Sequence, residues 1–162
     1  MPVNSAERML VLFFRVAIGW TFLWAGFRQI FITPDFTVAS FLSHTKTFHD
    51  VFTLFMLPSL VGVTSFMVKW GHLLIGLSLI SGLLVRISAT FGILLLGMYY
   101  FAHMDFPYIE AETNLLIDYH VIYIGVLGYL IHCHAGHVWG LDGVVDKMGF
   151  VVRHPRLVPL LA

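Results

Sequence analysis

Charge is scarce in this 162-residue chain. Asp, Glu, Lys and Arg make up 11% of it, against about 25% in a soluble domain. Acids and bases balance at nine each, so net charge is zero with neutral histidine. That leaves no basic footprint for nucleic acid. Cysteine is nearly absent, and the single Cys133 excludes an intrachain disulfide framework and a C-x-x-C redox motif. The opening stretch MPVNSAERMLVLFFRVAIGW has no small-residue cleavage site, and its apolar run is too long for a signal h-region. It is expected to be retained as a first span. Internal repeats and low-complexity tracts are also missing. What fills the chain is apolar: 59% of residues are hydrophobic and the mean hydropathy is +0.88. Such a chain cannot cover a soluble surface, which predicts an integral membrane protein in contact with the lipid bilayer.

Four apolar segments, 9–32, 62–85, 87–104 and 114–135, each approach the ~20 residues that cross a hydrocarbon core. They predict an all-α fold, an integral membrane four-helix bundle forming one domain over residues 1–162. Residues 141–162 are expected to form a cytoplasmic tail. Pro34 closes the first segment, Arg86 separates the second from the third, and Pro107 marks the break before the fourth. Between spans one and two, Phe36, Phe41, Phe48, Phe52 and Phe55 alternate with polar residues. This predicts a short amphipathic segment, either a lid over the bundle end or a simple connector. Gly71, Gly76, Ser78, Gly82, Gly92, Gly97, Gly125 and Gly128 are small residues suited to close helix approach. Arg8, Arg15, Arg86, Lys147, Arg153 and Arg156 fall on one side of the spans, and Arg28, Lys46 and Lys69 on the other. The excess predicts both termini in the cytoplasm.

Ionisable residues inside spans are costly and so mark candidate sites. At a rise of 1.5 Å per residue, His72 lies roughly 21 Å and His103 about 25 Å from the level of Arg86. His120 lies about 25 Å from His137 by the same measure. His72, His103 and His120 therefore converge on one level from three helices, and Arg28 leaves the first span there. Tyr99 and Tyr123 lie in the same zone, with Asp105, Glu110, Glu112 and Asp118 close in sequence. Three chemistries suit such a cluster. A quinone head group needs a histidine or acid to exchange protons and aromatic walls to hold its ring. Haem b needs facing histidines. A metal needs three or four His or carboxylate ligands. Histidines and tyrosines anchoring the bundle at the head groups are the plain alternative. Arg28 could pair a ligand anion or snorkel to the head groups. Arg15 lies deeper and needs a partner, which Asp142 or Asp146 could supply by folding back.

The stretch YLIHCHAGHVWGLDG carries His132, His134 and His137 around Cys133. Their spacing is not the i, i+4 pair of a zinc helix. They remain candidates for a second metal site, or they sit at the head groups beyond a helix that ends near Gly136.

Span one reads LFFRVAIGWTFLWAGFRQIF, with Arg15, Gly19, Gly26, Arg28 and Gln29. Spans two and three read WGHLLIGLSLISGLLVRISATFGILLL, with Gly76, Gly82, Leu83 and Arg86. The end reads NLLIDYHVIYIGVLGYLI and then GHVWGLDGVVDK, with Asn114, Leu141 and Asp142. Over nearly its whole length the chain resembles the DoxX/DoxD family of small four-span membrane proteins. It departs from the family pattern at three points: His72 stands where an acid is expected, Arg28 or Gln29 where a lysine is, and Gly140 where a serine is. The resemblance implies a membrane subunit like that of thiosulfate:quinone oxidoreductases, or a partner in the assembly of membrane complexes.

Two functions follow as expectations. The first is a membrane redox subunit handling quinone or haem b at His72, His103 and His120, with Arg28 orienting the ligand and Tyr99 and Tyr123 walling it. The second is a non-catalytic accessory subunit that packs against other membrane protein subunits. A transporter is less supported, because no inverted repeat is present.

Overall fold

The computed structural model describes residues 4–109 and 117–148. Helix α1 (Ser5–Phe27) opens on a reciprocal cap. The Asn4 side chain accepts from the Glu7 N–H at 2.8 Å and the Asn4 N–H donates to the Glu7 carboxylate at 2.9 Å. Its last turn widens into a π-helical stretch, Arg28–Ile32, before Pro34. Two short helices follow, α2 (Ala39–Leu42) and α3 (His49–Leu54). Then come α4 (Val61–Ser81) and α5 (Val85–Ala102). A two-stranded antiparallel hairpin, β1 (Met104–Asp105) and β2 (Tyr108–Ile109), turns at Pro107. Helix α6 (Tyr119–His132), a 3₁₀ turn at Ala135–His137 and helix α7 (Asp142–Val145) complete the described chain.

Three segments are long and apolar enough to cross a membrane: Ser5–Ile32, Val61–Ser81 and Val85–Ala102. Helix α6 is equally apolar but has 14 residues, short of the ~20 of a full span. Residues 114–116 of the expected fourth span lie outside the described residues, as do Glu110 and Glu112. The helix itself starts after Asp118, whose carboxylate accepts from the His120 and Val121 N–H groups. It stops earlier than the expected Gly136 cap, because His134 takes a left-handed conformation, φ 48°.

The join between α4 and α5 also differs from the expectation built on Arg86. Gly82, at φ +73°, ends α4, and Leu84 at φ 56° starts the return. Arg86 therefore lies in the first turn of α5 rather than between the helices.

Helix α1 packs along α4, α4 on α5, α5 on α6, and α6 closes back on α1. Val11, Ile18, Phe22, Ile75, Leu79, Leu96, Leu127 and Leu130 fill the core between them. Close approach of α1 and α4 is tightest at two glycines. A Cβ on Gly26 would stand 2.7 Å from the Leu73 Cα, and one on Gly76 would stand 2.5 Å from the Leu23 Cα. Gly92 faces Leu127 on α6. A Cβ on Gly71, Gly97, Gly125 or Gly128, also expected at interfaces, would meet nothing within 4 Å beyond its own helix backbone among the described residues. The outward faces carry Phe13, Trp20, Trp24, Phe66, Leu74, Phe91, Leu94 and Ile122, all exposed. An apolar core with an apolar exterior is the arrangement of helices embedded in lipid.

Candidate functional site

One end of the bundle is a structural knot. The guanidinium of Arg15, 1% exposed, donates to the carbonyls of Ala135 (2.5 Å), Val138 (3.1 Å) and Trp139 (3.3 Å). Asp142, fully buried, accepts from the N–H groups of Leu84 (2.7 Å) and Val85 (3.2 Å) and so caps α5. Burial pushes its carboxyl above the ordinary carboxylate range, while these two N–H groups pull it back. The Leu141 and Asp142 N–H groups close the knot on the Ser81 and Gly82 carbonyls. Glycine is required here, since a Cβ on Gly140 would stand 2.6 Å from Arg15 Nη1 and one on Gly82 2.7 Å from the same atom. The serine expected at position 140 would not fit.

The fold-back anticipated for Arg15 thus occurs, with backbone carbonyls as its hydrogen-bond partners. The start of the expected tail, residues 141–148, is anchored to the bundle through the buried Asp142; residues 149–162 lie outside the described residues. His132 and His134 are exposed, and His137 pairs with Asp146. Among the described residues, no group of three or more His, Cys, Asp or Glu side chains is placed to hold a metal ion.

The other end holds a cavity of about 350 Å³. Its floor comes from α4, α5 and α6 and its roof from α2 and α3. His72, Tyr99, His103, His120 and Gln29 supply polarity; Phe36, Phe41, Phe52, Phe55, Leu95 and Met98 supply apolar wall. His72 reaches it because it lies on the buried stripe of α4 with Ser65, Ile75, Gly76 and Leu79. His120 lies on the buried stripe of α6 with Leu127 and Leu130. His103 ends α5, one turn beyond Tyr99.

The rings form a continuous chain. His72 stacks on Tyr99 at 5.7 Å between centroids, Tyr99 meets His120 at 6.0 Å, and His120 meets His103 at 5.3 Å. Phe41 of the roof touches His103 at 4.8 Å and Tyr99 at 5.6 Å. His72 Nδ1–H donates to the Val68 carbonyl and His103 Nδ1–H to the Tyr99 carbonyl, both at 2.8 Å. His120 Nδ1–H donates to Asp118 Oδ2 at 2.5 Å, and both residues are buried. The Tyr99 hydroxyl donates to His72 Nε2 over a longer 3.5 Å.

The structure therefore brings His72, His103, His120 and Tyr99 together. Arg28 is exposed and lies outside this lining, and its neighbour Gln29 lines the cavity instead. The π-helical turn carries both residues, and its extra residue per turn shifts the α-helical phase in which they were read. Tyr123 faces a smaller cavity of about 180 Å³, shared with Thr21, Phe22 and Ala25, on the far side of the His72–Tyr99–His120 wall. Three contributors fall outside the sequence-based candidates. Asp118 is signalled by Asp-x-His at a helix start, and Phe41 by the aromatic run of the connector. Gln29 had only its place in the family pattern.

The roof is tied down. Val38, Leu42 and Phe52 bury themselves against Ala102. The Val38 N–H donates to Ser65 Oγ at 3.1 Å. Thr47 Oγ1 donates to the Met104 carbonyl at 2.8 Å and accepts from the Phe106 N–H at 2.7 Å, while Lys46 pairs with Asp105 at 2.9 Å. Connector and hairpin are thus tied together, and the residues of α2 and α3 give the amphipathic segment a covering position over the cavity.

Fold and site define a small polytopic membrane protein with a structural knot at one end and a histidine-lined cavity at the other. A family model described as DoxX matches residues 10–104, and the chain belongs to the DoxX family. No match was found among curated proteins or among solved structures.

Proposed function

We propose that this chain is a membrane redox subunit whose cavity receives a quinone-type head group. The observation that carries the reading is the ring chain His72–Tyr99–His120–His103 beside apolar walls. Quinone and quinol interconvert by two electrons and two protons, and histidines held at Nδ1 can take or give protons at Nε2. The electrons would pass to or from a redox-active partner subunit. The cavity volume suits a single ring, at the small end of ligand pockets.

The same geometry disfavours haem b. The His103 and His120 rings are 5.3 Å apart, too close to bracket a porphyrin, and Tyr99 occupies the space between His72 and His120. In this reading α6 is the fourth crossing of a four-helix bundle, and both termini face the cytoplasm.

Photolabelling with an azidoquinone, followed by peptide mapping, tests the site. Label on the segments holding Phe41, Tyr99 or His120, displaced by unlabelled quinone, is the expected result. Label spread over the lipid-facing side chains alone would refute it.

A second reading, an accessory subunit without its own chemistry, draws on the exposed aromatic ladder of α1. Trp20 and Trp24 stack at 6.5 Å, and Phe27 and Phe31 continue the run. Such a ladder would suit a neighbouring helix. Retained activity of a purified complex after loss of all three histidines would favour it.

A further inference from the structure

Each histidine of the cluster has its Nδ1 committed to a group that can only accept. The Val68 and Tyr99 oxygens are carbonyls, and Asp118 Oδ2 belongs to a carboxylate fixed by the His120 and Val121 N–H groups. In the neutral rings the proton is therefore on Nδ1 and the lone pair on Nε2. His72 Nε2 already receives the Tyr99 hydroxyl. The Nε2 atoms of His103 and His120 have no partner among the described residues, and both rings line the cavity. Gln29 Oε1 is buried there, also without a partner among the described residues.

The donors on the lining are fewer. Tyr99 gives its proton to His72, and Thr64 gives its own to the Leu60 carbonyl at 3.0 Å. The Tyr119 hydroxyl and the Gln29 amide can both donate and accept, so they do not distinguish one redox form from the other. The histidines do. A quinone presents two carbonyl acceptors, which would face lone pairs. A quinol presents two hydroxyl donors, which those lone pairs can accept.

We infer that the cavity binds the reduced, dihydroxy form of its aromatic ligand in preference to the dicarbonyl form, with Nε2 of His103 and His120 accepting a ligand hydroxyl. This rests on the quinone reading above. It also makes Asp118 a positioning residue, which acts on the ligand through the tautomer of His120.

The test uses the full chain in lipid nanodiscs under anaerobic conditions, with three probes: decylubiquinone, decylubiquinol and the dimethyl ether of that quinol. The quinol is expected to bind about tenfold tighter than the quinone, the scale of one good hydrogen bond gained against one unsatisfied group. The ether, which cannot donate, is expected to bind no better than the quinone. Asp118→Asn keeps a helix cap while its amide can donate to Nδ1 and free the Nε2–H tautomer. The preference should then fall to within about threefold. Decylubiquinone binding as tightly as decylubiquinol would overturn this inference and leave the quinone site standing. Absence of binding by all three probes would remove both. A preference unchanged in Asp118→Asn, with helix content intact by circular dichroism, would overturn the tautomer as its cause.

Discussion

Two arginines, thirteen positions apart on one helical segment, have opposite fates. Arg15 is sealed inside and spends its guanidinium on three backbone carbonyls. Arg28 is exposed beside the cavity-lining Gln29. Removing Arg15 leaves buried carbonyls without a donor, so Arg15→Ala is expected to cost about 2–4 kcal/mol. A lysine cannot reproduce the planar fork, and Arg15→Lys should recover only part of the loss. Thermal unfolding in detergent measures both. At the other end, Arg28→Ala should leave quinone affinity within about twofold, whereas Gln29→Leu should weaken it about three- to tenfold. Ligand titration separates the two, and the reverse order would return the site to Arg28. The sequence marks both arginines as exceptional because charge in a span is costly. It cannot tell them apart, since the burial of Arg15 depends on the distant Ala135–Trp139 carbonyls and the placement of Arg28 on a π-helical turn that leaves no residue signature. The three histidines were legible as one level shared by three helices, but not their inward direction: that depends on helix rotation, which the buried stripe of His72, Gly76 and Leu79 reveals only in the fold.

At the scale of elements, α1 and α4 meet backbone to backbone, most closely at Gly26 and Gly76. Gly26→Val and Gly76→Val are expected to destabilise by about 1–3 kcal/mol each through overpacking. Gly71→Ala and Gly97→Ala, where an added Cβ meets nothing within 4 Å beyond its own helix backbone among the described residues, should fall within about 0.5 kcal/mol of the parent. Melting temperatures of the four variants in one detergent check the contrast; equal losses at all four would show that the interface is placed wrongly. Small residues were readable as a class, but which of them touch was not, because that depends on helix rotation. The α4–α5 join shows the same limit. Composition points to Arg86 as the break, while the chain turns at Gly82–Leu84, held by Asp142 from 58 residues away in sequence. A turn fixed by a distant cap cannot be located from its own residues. The knot was half legible: Arg15 needed a partner and the Asp142 segment was proposed for it, yet the carbonyl contacts follow only once Ala135–His137 folds as a 3₁₀ turn.

For the whole molecule, the membrane class follows from composition, because an apolar core and an apolar exterior require a chain with little charge. The family model and the three long helices agree with that. The fourth segment is where length failed as a guide, since α6 is a short helix that nonetheless carries His120 into the cluster. The roof was visible only as a phenylalanine-rich connector, and its tie to the β1–β2 hairpin through Thr47 depends on partners more than fifty residues away. The molecule thus keeps its structural knot and its candidate site at opposite ends. The Arg15–Asp142 knot holds one end together, and the other end presents a ring-lined cavity.

The most direct measurement is equilibrium binding of decylubiquinol, under anaerobic conditions, to the nanodisc-embedded chain, parent against His120→Phe. One saturable site per chain, weakened about tenfold or more in His120→Phe at unchanged helix content, is the expected result. Saturable binding of equal strength in both proteins, or no saturable binding in the parent, would contradict the assignment of the cavity as a quinone site.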